Sequence, residues 1–216
     1  FLDLFSLIRE TEGRADVNCV WDFAIPPSLF LDVARAIGKA GLVGCGRRSP
    51  WPRVVIEKPF GRDRESSDAL TRELGQVFTE AQTYRIDHYL GKEVIQNLLV
   101  LRFGNLVFQP LWNRRFIQSV SITWKEDLGV EGRGGYFDAY GIIRDVMQNH
   151  LLQILALVAM EPPRRLEADR IRDAKVRALR AIPPVELGDM VIGQYGRGRH
   201  TGKDVSGYTE DETVPR

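Results

Sequence analysis

The spacing of hydrophobic residues changes period along the chain, and each change marks an element. Residues 1–9 carry apolar positions at the spacing of an amphipathic helix. Residues 18–25 form a short, mostly apolar run closed by Pro26 and Pro27, which predicts a strand with a hard stop. Ser28 is read as an N-cap. Leu29, Phe30, Val33, Ala34 and Ile37 then recur at helical spacing until Gly38 and Gly41. Residues 44–52, rich in Gly, Arg, Ser and Pro, read as a loop, and residues 53–56 as a buried parallel strand. Strand, helix and strand make one βαβ unit, expected to cross over right-handed.

The pattern then repeats. Ser66 or Ser67 is expected to cap a helix with Leu70, Leu74, Val77 and Phe78 on one face, and residues 83–86 to form the next strand. A long helix begins near Lys92 and carries Val94, Ile95, Leu98, Leu99 and Leu101. From Ile117 the period drops to two: Val120, Ile122 and Trp124 alternate with Ser119, Ser121, Thr123 and Lys125, predicting a half-buried strand. Residues 137–160 are apolar almost throughout, as in a central buried helix. Beyond Glu161 the chain is more polar, and the alternating charges of residues 164–180 suit a solvated helix face. The expected fold is α/β then α+β. Residues 1–92 read as the later strands of a Rossmann-like dinucleotide-binding sheet, and residues 93–216 as the start of an α+β domain. No G-x-G-x-x-G fingerprint occurs, so that part of the sheet is expected to precede Phe1.

Composition narrows the function classes. With 30 basic and 29 acidic residues the net charge is +1, so no global field favours nucleic acid or an anionic membrane. No apolar run approaches the roughly 20 residues that span a bilayer. Cys19 and Cys45 are too few for a disulfide framework or a thiolate zinc site, which fits a reducing compartment such as the cytoplasm. Three histidines at scattered positions give no metal-ligand spacing, and no metal is expected.

Three motifs and one histidine remain. Glu57-Lys58-Pro59-Phe60-Gly61 follows a buried strand, and ligands of open α/β sheets bind beyond the carboxyl ends of the strands. Lys58 there is either a ligand contact or a surface lysine. Arg85-Ile86-Asp87-His88-Tyr89-Leu90-Gly91-Lys92-Glu93 packs cations, a histidine and a phenol before a helix start, where free N–H groups favour an anion such as a phosphate monoester. The competing reading is a capping turn with exposed charges. Residues 131–138 form a glycine-rich loop entering the long helix, with Asp138 as its expected N-cap. His150 lies on an apolar helix face, and spacing alone does not separate a general base from a core histidine.

Taken together, in order and with suitable separations, residues 57–61, 85–93, 131–138 and 141–151 resemble glucose-6-phosphate dehydrogenase, and the likeness extends over residues 18–216. The resemblance implies hydride transfer from C1 of glucose 6-phosphate to NADP, giving the phosphogluconolactone, in a homodimer or homotetramer. It implies that His150 is the general base and Asp87 its carboxylate partner. Lys58 would lie between sugar and nicotinamide, and Phe30 near the cofactor. His88, Tyr89 and Lys92 would hold the 6-phosphate, and Glu126 and Asp145 would accept hydrogen bonds from sugar hydroxyls. It divides the chain into a partial NADP-binding domain, 1–92, and a partial substrate and dimerisation domain, 93–216.

Two departures from the family pattern stand out. Asp22 occupies a strand position that is aromatic in the family, and a buried carboxylate there would be costly unless paired. The loop before Arg53 is long and basic. Because the glycine fingerprint is missing, the 216 residues alone are expected to be inactive and poorly soluble. A sugar-phosphate-binding module without turnover is the alternative.

Overall fold

The computed structural model describes residues 2–13, 18–43 and 52–216. The chain divides into two compact units, Phe1–Asp87 and His88–Arg216. The basic loop predicted over residues 44–52, and Cys45 within it, lies outside the described residues except for Pro52.

The first unit opens with α1 (Leu2–Glu12) and contains a parallel sheet of β1 (Val20–Phe23), β2 (Arg53–Ile56) and β3 (Thr83–Arg85), in the order β1-β2-β3. Val20 pairs with Arg53, and Val54 with Thr83, which places Trp21, Phe23, Val54 and Ile56 on one face. That face is covered by α2 (Phe30–Lys39) and α3 (Arg64–Leu74). Phe23, Phe30, Ala34, Ile37, Val54, Ile56, Leu74 and Phe78 form one buried cluster. Full burial of each large side chain contributes roughly 1.5–3 kcal/mol, so this cluster is what holds the sheet to its helices.

On the other face, among the described residues, Val20 is 61% and Tyr84 48% exposed, and Arg53 lies over the Tyr84 ring at 5.9 Å. Asp22 shares that face and is exposed. Among the described residues its carboxylate is not buried, because strand alternation turns position 22 away from the cluster under α2 and α3.

Both predicted serine caps are corrected. Ser28 sits inside a 3₁₀ turn, Pro27–Leu29, and Leu29 precedes α2 with no side-chain cap. At α3 the cap is Asp63, whose carboxylate accepts from Ser66 N–H at 2.9 Å while the Ser66 hydroxyl accepts from Asp63 N–H at 3.1 Å, a reciprocal capping box.

The second unit begins with a 3₁₀ turn, His88–Gly91, and α4 (Glu93–Phe103), with Lys92 at the N-cap. The predicted strand from Ile117 carries no ladder among the described residues. Its alternation survives only in burial, with Ile122 and Trp124 half-buried and Ser121, Thr123 and Lys125 exposed. Extended backbone without a neighbouring strand makes no sheet.

The single buried helix expected over residues 137–160 is three segments: α5 (Gly134–Ile142), a π-helical stretch Ile143–Leu151, and α6 (Leu152–Ala159). The first break falls at Gly141, at φ 65 and ψ 169, a region open essentially to glycine alone. Arg133, not Asp138, is the N-cap of α5. α7 (Ala168–Arg180) packs Ala174 against Leu157 and Met160, joined by Leu90, Ile95, Leu99 and Phe103. A short antiparallel hairpin, β4 (Gly198–His200) and β5 (Lys203–Val205), follows. Among the described residues no helix is long and apolar enough to cross a membrane.

Arg102 ties α4 to the end of α6. It is 4% exposed, its guanidinium donates to Leu157 O and, at 2.8 Å, to Met160 O, and it lies over the Phe103 and Trp112 rings. The Trp112 indole N–H donates to Val158 O at 2.9 Å. The two side chains thus satisfy helix-end carbonyls that have no intrahelical partner. Burial pulls the Arg102 pKa down, and the nearby Glu161 charge opposes that shift.

Candidate active site

In the first unit, chemistry collects at the carboxyl edge of the sheet. Ile56 pairs with Arg85, and Ile86 N–H donates to Ile56 O at 3.0 Å, carrying the ladder one residue further. Lys58 and Asp87 each follow two residues after those paired positions, so the two lie level beyond adjacent strand ends, where α/β sheets receive ligands. Lys58 is half-buried and precedes Pro59 through a cis peptide. Phe30, expected near a cofactor, is 0% exposed and packs its ring 6.0 Å from that of Phe23, so in this unit its surface is spent on the core.

In the second unit four of the predicted residues converge. His88 and Tyr89 open the turn before α4, and Lys92 caps that helix. The Tyr89 ring stacks on His150 at 4.2 Å and 15°, and His88 meets His150 edge-on at 4.7 Å. Lys92 Nζ lies 3.7 Å from the centre of the Tyr89 ring, a cation–π contact. His150 is 2% exposed, whereas His88 and Lys92 are exposed. The arrangement is therefore a buried imidazole behind a surface of donors: the imidazole is shielded from water, and the lysine and outer histidine face solvent ahead of α4.

His150 reaches this position through the π-helical stretch. There the Leu152 N–H bonds back to Met147 O, five residues earlier. In an α-helix residues five apart point about 140° away from one another. The wider turn brings Asp145 and His150 toward one side. Nothing in the sequence announces that conversion.

Asp145 is half-buried and accepts a hydrogen bond from the Tyr136 hydroxyl at 3.1 Å. Burial pushes the Tyr136 pKa up to about 12, reinforced by the Asp145 charge and by that hydrogen bond. Glu126, by contrast, is exposed beyond the unpaired run and makes no hydrogen bond or ion pair among the described residues.

The entrance to α5 is held by the segment after the hairpin. Thr213 Oγ1 accepts from Gly134 N–H at 2.9 Å, and the Tyr208 hydroxyl donates to Asp138 at 3.1 Å. The Tyr195 hydroxyl accepts from Val130 N–H at 3.0 Å. Asp138 therefore anchors Tyr208 instead of capping its helix.

Comparison with known proteins agrees over the whole chain. The family model described as “Glucose-6-phosphate dehydrogenase, NAD binding domain” matches residues 1–97, and “Glucose-6-phosphate dehydrogenase, C-terminal domain” matches residues 99–216. Glucose-6-phosphate 1-dehydrogenase 1, chloroplastic, of Arabidopsis thaliana is 53% identical over 215 residues, covering 100% of this chain and 37% of the plant protein. The Drosophila melanogaster glucose-6-phosphate 1-dehydrogenase is 54% identical over 205 residues, 94% of this chain and 38% of the fly protein. A solved glucose-6-phosphate dehydrogenase in complex with its substrate glucose-6-phosphate superposes with a TM-score of 0.87 at 44% identity, over 99% of this chain and 44% of that one. The Mycobacterium avium enzyme superposes with a TM-score of 0.77 at 39% identity. The chain spans well under half the length of these relatives.

Proposed function

Because the chain belongs to the glucose-6-phosphate dehydrogenase family, we propose that its protein oxidises glucose 6-phosphate at C1 with a nicotinamide dinucleotide, NADP, as acceptor. The observation that carries this reading is the grouping of His150, Tyr89, His88 and Lys92 in one unit, a water-shielded imidazole behind exposed cations. His150 takes the proton of the C1 hydroxyl while hydride leaves C1, giving the lactone. A neutral imidazole accepts that proton near neutral pH, and its burial keeps water from competing for it. His88, Tyr89 and Lys92 bind the 6-phosphate, with Lys92 as the charge and the first N–H groups of α4 beside it. Asp145 and Glu126 accept sugar hydroxyls. Lys58 and Asp87 keep the roles the family resemblance gives them, contact at the nicotinamide and carboxylate partner of the base.

The residues present fit one end of the dinucleotide: Lys58 stands at the carboxyl edge of the sheet, whereas the G-x-G-x-x-G fingerprint that would cradle a pyrophosphate does not occur in these 216 residues. When bound, the nicotinamide supplies the hydride acceptor. Phe30 supports that end only through packing. Assembly as a homodimer or homotetramer is part of the same proposal. The relatives include chloroplastic enzymes, so the low cysteine content fits more than one compartment.

The test is Lys92→Ala in the full-length protein. A charge-assisted contact is worth roughly 1.5–3 kcal/mol, so KM for glucose 6-phosphate should rise at least tenfold while that for glucose barely moves. Equal losses on both sugars would remove Lys92 from the phosphate site.

A further inference from the structure

Asp145 is reached by a residue of the 131–138 motif to which none of the roles above is assigned. Tyr136 lies near the start of α5, nine positions before Asp145, yet its hydroxyl hydrogen-bonds that carboxylate. The contact depends on Gly141, whose φ of 65 turns the chain between α5 and the π-helical stretch. A continuous α-helix would carry residues nine apart about 13 Å along its axis. The Tyr136 ring is itself held in place: Tyr140 stacks on it at 4.8 Å and 25°, and the Arg133 guanidinium sits 5.3 Å from its centre.

We propose that Tyr136 is a positioning residue for the sugar site, its hydroxyl fixing the rotamer of the Asp145 carboxylate before a sugar hydroxyl arrives. The inference rests on the reading of Asp145 as a sugar-hydroxyl acceptor. A carboxylate free to rotate must be ordered by the substrate, at a cost in affinity; one already held by a phenol avoids that loss. The phenol serves as a donor across the working range, since burial and the Asp145 charge raise its pKa to about 12. Phenylalanine at this position keeps the ring and its stacking and removes only the donor.

The experiment is a double-mutant cycle in the full-length protein with Tyr136→Phe, Asp145→Asn and the pair. Each is assayed with glucose 6-phosphate and with its singly deoxygenated analogues. Tyr136→Phe should lower kcat/KM for glucose 6-phosphate roughly tenfold, the effect of one hydrogen bond to a charged group. It should also shrink discrimination against the one analogue lacking the hydroxyl that Asp145 meets, and add nothing in the Asp145→Asn background. A purely structural tyrosine would lower activity equally on every analogue and additively with Asp145→Asn, and that result overturns the proposal while sparing the role of Asp145. If Asp145→Asn leaves every sugar equally well used, the acceptor reading falls and the proposal falls with it.

Discussion

Gly134 is a helical position where one added methyl group should destabilise the protein by a clash alone, without backbone strain. A Cβ built there would lie 2.6 Å from Val214 Cγ2, 2.7 Å from Thr213 Oγ1 and 2.7 Å from Val214 N. The valine methyl can rotate aside, but the backbone nitrogen cannot move without shifting the segment that carries it. The same segment accepts the Gly134 N–H through Thr213, so relieving the clash stretches that hydrogen bond. Overpacking costs roughly 1–3 kcal/mol and a lost hydrogen bond about 1. Against this, alanine favours the helix over glycine by about 1 kcal/mol. The clash wins, and Gly134→Ala should destabilise the protein by ~1–3 kcal/mol. With a urea slope of about 2 kcal/mol/M, the unfolding midpoint falls by ~0.5–1.5 M. Gly135→Ala is the internal control: its nearest contact would be Thr213 O at 3.5 Å, ordinary packing, so only the helix preference remains and stability should hold or rise slightly. Urea unfolding followed by tryptophan fluorescence decides the matter. A Gly134→Ala midpoint at or above the parent's, or an equal loss in both variants, refutes the reasoning.

Other outcomes follow from the same geometry. His150→Asn should cut kcat about 10²–10⁴-fold with KM little changed, and a near-normal kcat would return His150 to the status of a core residue. Arg102→Ala leaves two helix-end carbonyls without their donor and should cost about 3 kcal/mol of stability. Arg102→Lys should recover less than half of that, because an ammonium lacks the guanidinium fork; full recovery in thermal melts would contradict this. In the folded protein burial and the Asp145 charge raise the Tyr136 pKa to about 12, whereas an unfolded phenol titrates near 10. Between those values the folded state binds more protons, so stability present below pH 10 is lost as pH rises through the window. Tyr136→Phe should flatten that decline in unfolding midpoints measured at pH 9 and pH 11, and an unchanged slope would count against the half-buried, carboxylate-bonded phenol.

Much of the fold was legible because local and tertiary preferences agree. The β-branched run ending at Ile56 has one use in a parallel sheet, and the helix start at Lys92 follows its apolar spacing. The motif at residues 85–93 brought three of the four converging site residues together in sequence before any contact was known. Where the reading failed, the missing information was non-local. The capping serines lost to Asp63 because an extended backbone at that residue, and not at Ser66, aims a carboxylate at the helix start. The helix over residues 137–160 breaks at Gly141 and widens after it, and hydrophobicity does not encode that break. Arg102 inside an apolar run was a readable sign of a buried partner, but the partner lies 55 residues on. The β4–β5 hairpin also carried a signal: Thr201-Gly202 both adopt positive φ, 48 and 83, as in a two-residue turn of the kind glycine permits.

The exposed carboxylate of Asp22 has a consequence for misassembly. Among the described residues β1 pairs with β2 alone, and a parallel strand whose flank is unpaired while the chain folds invites the corresponding strand of another molecule. Beside Val20 and level with Val55, an aromatic at position 22 would make that flank flatter and stickier. A negative charge in its place makes two such edges repel when they meet in register, each copy presenting the same sign to the other. A charge at position 22, where the family pattern has an aromatic, is the kind of residue that discourages such pairing while a sheet is still uncovered.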